Sequence, residues 1–110
     1  MANAAQNIAS NPARGEADFM VGGVPLVVRP SFAALVAAEG ELGPLLALVD
    51  RAAEGRLLLA EMAALIWHCL AERPEGLTRE ALGEALVAQG LGAALPALRA
   101  ILRQVLAGSA

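Results

Sequence analysis

The sequence contains no lysine and no tyrosine, one cysteine, one histidine and three aromatic residues, Phe19, Phe32 and Trp67. Each shortage removes a class of function. A lone Cys69 cannot form an internal disulfide, which excludes a secreted, disulfide-stapled scaffold. One histidine and one cysteine fall short of the four ligands of a structural zinc site. The eight basic residues, all arginine, are scattered among 11 acidic ones. They form no cluster that could track a phosphate backbone, so nucleic acid is not an expected partner. Long apolar runs are missing too. The most apolar stretch, Leu57 to Ala71, carries Glu61 and His68, whereas a bilayer span needs ~20 apolar residues with few charges. The first residues lack the basic-then-apolar order of a signal peptide. The expectation is a domain of the bacterial cytoplasm that does not enter membranes.

What is abundant is helix former. Alanine and leucine supply 26 and 19 of the 110 residues, and apolar types reach 57% against 17% charged. Disorder needs the opposite balance, and these two residues have the best helix propensities. The length suits one small domain. Residues 1–13 are polar and read as a disordered tail, leaving 14–110 as a single helical domain with an N-terminal hairpin.

Between Glu16 and Arg29 the chain alternates: Ala17, Phe19 and Val21, then Gly22-Gly23, then Val24, Leu26 and Val28. A Gly-Gly pair flanked by alternating apolar residues predicts a two-residue hairpin, because both turn positions can take positive φ. That register sets Phe19 opposite Leu26 and Ala17 opposite Val28 on one face. It sets Glu16 opposite Arg29 on the other, a favourable cross-strand pair. Pro25 has no N–H to donate and should face an edge.

Five short helices follow in the pattern, so the fold class is mainly α (α+β). Ser31 caps Phe32–Glu39, with Phe32, Leu35 and Val36 on one side and Gly40 and Gly43 as breakers. Leu45–Glu54 comes next, with Leu45, Leu48 and Val49 inward. The third runs from about Leu58 to Glu72, with Met62, Leu65, Ile66 and Cys69 inward and Arg73-Pro74 as the stop. Thr78 caps Arg79–Gln89, where Leu82, Ala85 and Leu86 face the core. The fifth spans about Gly92–Leu106 with Pro96 near its first turn, and Leu98, Ile101, Leu102 and Val105 form its stripe.

No enzyme signature emerges. His68 and Cys69 are neighbours on a helix and point about 100 degrees apart, so they cannot easily form a dyad. A packed Cys69 beside a half-exposed His68 is expected. The glycine pairs explain turns and helix stops but lack the context of phosphate loops. No catalytic group, metal or cofactor is predicted. Glu80 and Glu84 share one helical face, as do Arg99 and Arg103, and these pairs are expected to meet within the chain. The third helix is apolar around most of its circumference, which makes it either a central helix or a contact surface. On the contact reading the partner-binding residues are Ala60, Ala64 and Trp67 there, with Leu95, Leu98, Arg99 and Arg103 on the fifth helix. Such a surface would serve a partner or self-association.

The order of these signals resembles a known family. Arg14-Gly15-Glu16 opens the first strand and Val28-Arg29-Pro30-Ser31-Phe32 joins strand to helix. Ala34-Leu35, Glu39 and Gly43 follow, then Gly55-Arg56-Leu57 before the third helix and Gly90-Leu91 before the last. Together, over Arg14 to Gly108, they resemble the tail assembly chaperones of gene transfer agents, a phage-like family also labelled tail tube protein. Leu58-Leu59 departs from that pattern, where a Ser or Thr cap would stand, and Trp67-His68-Cys69 is unusual. The resemblance implies a non-enzymatic assembly factor of a gene transfer agent or prophage. It would bind the tape measure protein, with the major tail protein as a further partner, during tail morphogenesis. The alternative it leaves is a structural tail subunit retained in the particle.

Overall fold

The computed structural model describes residues 10–108. Most of the expected tail, residues 1–9, lies outside that range. Strands β1 (Ala17–Val21) and β2 (Val24–Val28) are followed by α1 (Phe32–Leu42), α2 (Leu45–Ala53), α3 (Leu59–Cys69), α4 (Arg79–Gln89) and α5 (Leu95–Ala107). One-turn 3-10 segments precede β1 at Pro12–Arg14 and α5 at Leu91–Ala94.

The hairpin pairs as the alternation predicts, with Ala17 against Val28 and Phe19 against Leu26. Gly22 and Gly23 take φ of 59° and 80°, the left-handed pair such a turn demands. Val21 and Val24 close the turn, so Pro25 falls at a position whose N–H would point away from β1. The Val27–Arg29 end of that outer edge is not left open. Ala71 N–H donates to the Val27 carbonyl at 2.9 Å, Arg29 N–H donates to the Cys69 carbonyl, and Leu70 bridges Val28. Capturing Leu70 as a short strand partner ends α3 at Cys69, three residues before the expected Glu72. The helix signal in the sequence continues, but the open edge of β2 outcompetes it.

Glu16 and Arg29 do pair, at 2.6 Å, but Glu16 is not on an open face. It is 5% exposed, because the Pro12–Arg14 turn folds over it. Its Oε1 accepts the Asn11 N–H at 2.9 Å and its Oε2 accepts from Arg29 Nε. Burial raises its pKa, and the bonds from Arg29 and Asn11 outweigh that, holding the carboxyl below the usual range. Thus residues 11–13, expected within the polar tail, are docked by hydrogen bonds and need no apolar period.

Ser31 and Thr78 cap α1 and α4 by accepting from Ala34 N–H and Ala81 N–H. Leu58 offers α3 no side-chain acceptor; Glu61 reaches back to its N–H at 2.9 Å instead. Arg51 grips Glu61 with both terminal nitrogens, at 2.8 and 2.6 Å, tying α2 to the start of α3. Gly40 does not break α1, which continues to Leu42 and stops at Gly43 with φ 91°.

Helix α3 sits at the centre, packed against α1, α4 and α5, while β1 lies on α4 and α5. It buries Ala63, Ala64, Leu65, Ile66 and Cys69. Leu82 and Leu86 of α4 and Ala97, Leu98 and Ile101 of α5 complete the core with Phe19, Leu26 and Val28. The expected face of α1 is wrong. Phe32 and Val36 point to solvent, 85% and 51% exposed, while Ala38 is buried. A small residue there lets α1 lie close to α3, and Ala34, Leu35 and Leu42 pack beside it.

Candidate functional site

Of the seven residues singled out from the sequence, two lie in the core and five at or near the surface. Ala64 and Leu98 are buried; Ala60, Leu95, Arg99 and Arg103 are exposed and Trp67 is half-buried. Ala60 and Trp67 sit at opposite ends of α3, with buried Ala64 between them, so that stripe does not form one continuous surface. The α5 residues do. Leu95, Arg99 and Arg103 recur every four residues on the exposed side of that helix.

Trp67 is held by cations and not by other aromatics. The Arg73 guanidinium lies 4.8 Å from the ring centroid and that of Arg79 lies 5.8 Å away. Arg73 also donates to the Trp67 carbonyl from Nε and a terminal nitrogen. Glu41, at the end of α1, accepts from Arg79 at 2.6 Å and sits 2.7 Å from His68 Nε2. One network therefore joins the ends of α1, α3 and the start of α4. Bonds from Arg79 and His68 pull the Glu41 pKa from 4.5 down to about 2.

A folded-state pKa below the unfolded one stabilises above the unfolded value, and the benefit is lost as pH falls through the folded one. Glu41→Gln should therefore lower the melting temperature at pH 7, modestly because the carboxylate is 40% exposed. Wild type and variant should converge as the pH falls from about 4.5 to about 2. Melts at several pH values test this, and a gap unchanged at the acid end would remove Glu41 from the network.

Cys69 is fully buried, and burial pushes its thiol pKa up to about 12. It is a protonated core group at neutral pH, not a nucleophile. Among the described residues no three His, Cys, Asp or Glu side chains converge to hold a metal ion. No single helix among them is long and apolar enough to cross a membrane.

A groove of about 570 Å³ runs between the Pro12–Arg14 turn and α5, with Arg99 and Arg103 on one wall and Glu16 and Asp18 on the other. Gly15, at φ 77°, holds a left-handed conformation that favours glycine, and it lies against the Gln104 side chain. The Gln104 amide oxygen is buried without a hydrogen-bond partner. The expected pairing of Arg99 and Arg103 with Glu80 and Glu84 does not occur. Among the described residues none of the four has an ion-pair partner within 4.0 Å. Between α4 and the segment Leu91–Ala107 the chain bends by 116°, so the two helices are not laid antiparallel along each other.

Sequence reading placed Phe32 and Val36 on the inward face of α1, and both are exposed. Helix α1 is apolar nearly all round, so its periodicity could not choose a face. Small residues do not choose it either, since Ala33 and Ala37 are exposed while Ala34 and Ala38, equally four apart, pack inward.

Residues 14–108 match a family described as phage tail tube protein, GTA-gp10. No curated protein and no solved structure matches the chain.

Proposed function

The chain belongs to the family described as phage tail tube protein, GTA-gp10, and from that membership we propose that it is a tail assembly chaperone that binds the tape measure protein. The observation that carries this reading is a helical domain with apolar side chains left on its surface. Phe32, Val36, Leu58, Leu59 and Leu95 are all exposed. Exposed apolar side chains of this kind suit the apolar faces of amphipathic helices, as in helix-in-groove recognition. Ala60, Trp67, Leu95, Arg99 and Arg103 contribute to the contact, and Ala64 and Leu98 support it from the core beneath. The role needs no catalytic group, and a further contact with the major tail protein fits the same surface.

The family description favours a second reading, a tube subunit that stays in the particle. Against it stands the sheet: the described residues hold two strands, and residues 69–71 already occupy the Val27–Arg29 end of the outer edge of β2. Rings built by sheet closure need free edges or more strands.

Co-expression with the tape measure protein of the same tail, followed by affinity purification, separates the two. The wild type should retain the tape measure protein and be absent from finished tails, and Ala60→Glu should lose most of the retained partner. Recovery of the chain from assembled tails at ring stoichiometry, with no tape measure retained, would establish the tube subunit instead.

A further inference from the structure

Helices α4 and α5 each carry an exposed stripe that the monomer leaves without an ion-pair partner, and the two stripes are complementary in charge and spacing. On α4 it runs Glu80, Glu84, Val87; on α5 it runs Leu95, Arg99, Arg103, and all six residues are exposed. Successive members are three or four residues apart, about 4.5–6 Å along the helix. Laid antiparallel, Glu80 meets Arg103, Glu84 meets Arg99 and Val87 meets Leu95, with a mismatch of about 1.5 Å at the apolar end.

We propose that α4 of one copy docks antiparallel against α5 of a second copy through these stripes. A second copy is the occupant because it supplies both halves of the match: two carboxylates at the spacing of the two guanidiniums, followed by an apolar contact in register. Within one chain α4 and the segment Leu91–Ala107 are bent by 116° and not antiparallel, so the aligned contact does not form there. Every copy offers both stripes, so two contacts close a symmetric dimer, or single contacts run on from copy to copy. Arginine favours such pairing, since its planar fork can take a carboxylate through two parallel hydrogen bonds. The inference does not rest on the tape measure reading, although a second copy on Leu95, Arg99 and Arg103 would compete with that partner for α5. The purified chain alone tests the contact between copies.

Sedimentation of the purified full chain tests it. At low ionic strength the wild type should associate, and salt should dissociate it, because the screening length contracts from about 10 Å at 0.1 M to about 3 Å at 1 M. Glu80→Arg/Glu84→Arg makes both stripes basic, and Arg99→Glu/Arg103→Glu makes both acidic. Each double variant should be monomeric alone, with unchanged circular dichroism since all four positions are exposed. Mixed one to one they should associate again, because the swapped charges complement across copies. A wild type that stays monomeric at low salt overturns the proposal. So does a mixture of folded variants that fails to associate, or a variant that associates as the wild type does.

Discussion

Replacing Phe19 by alanine should lower the free energy of unfolding by about 3 kcal/mol, the range for emptying a buried aromatic site. Phe19 is 2% exposed and stands opposite Leu26, also buried, on the inner face of the hairpin. A two-stranded hairpin is marginal alone in water, so β1 and β2 persist only because that face is packed. Beneath it lie Leu82 and Leu86 of α4 and Leu98 and Ile101 of α5. The loss should appear as a lower midpoint in a urea titration with an unchanged slope. Met20→Ala, on the exposed opposite face, should stay within about 0.5 kcal/mol of wild type. If the two variants cost the same, the hairpin presents its other face to the helices.

That face was legible in the sequence because three independent signals agreed on it. The Gly22-Gly23 turn fixed the register, the alternation fixed the face, and Glu16 with Arg29 fixed the pairing at the open end. Helices α4 and α5 were legible for a similar reason: Thr78, Gly90 and Pro96 punctuate them, and Leu82 with Leu86, and Leu98 with Ile101, recur at helical spacing on the buried side. Where one signal stood alone it failed. Helix α1 has apolar residues on every side, and its buried face was set by the small side chain of Ala38 against α3. The end of α3 was decided by a long-range pairing, Leu70 with Val28, which no local pattern around Arg73-Pro74 encodes.

The candidate surface divides along the same line. Of the fifth-helix set Leu95, Leu98, Arg99 and Arg103, helical spacing leaves three exposed, while Leu98 is buried in the core. What the sequence could not supply was the angle between α4 and α5, which decides whether their charges meet. The buried state of Glu16 was hidden as well, because it depends on a turn of polar residues folding back through Asn11. Both misreadings have one cause. Whether a charged residue on a regular element is paired, covered or left in solvent depends on the path of the neighbouring chain, which local spacing does not encode.

Ala64→Glu should unfold the protein at neutral pH. Ala64 is 1% exposed in the middle of α3, which packs against three other helices. The substitution adds volume to a close-packed site, where overpacking costs about 1–3 kcal/mol. It also places a carboxyl where no cation is shown to meet it, at a cost of several kcal/mol more. Together these approach the whole stability of a domain this size, about 5–15 kcal/mol. Ala60→Glu makes the same chemical change one turn earlier, at an exposed position in the first turn of α3. There a negative charge complements the helix dipole, and the effect should stay within about 0.5 kcal/mol. Circular dichroism and thermal melts of the two variants decide how α3 is used. Loss of the cooperative transition in Ala64→Glu alone makes α3 the central helix, with only its ends available to a partner. A folded Ala64→Glu with wild-type stability would put the whole stripe from Ala60 to Trp67 on the surface, available to a tail partner along its full length.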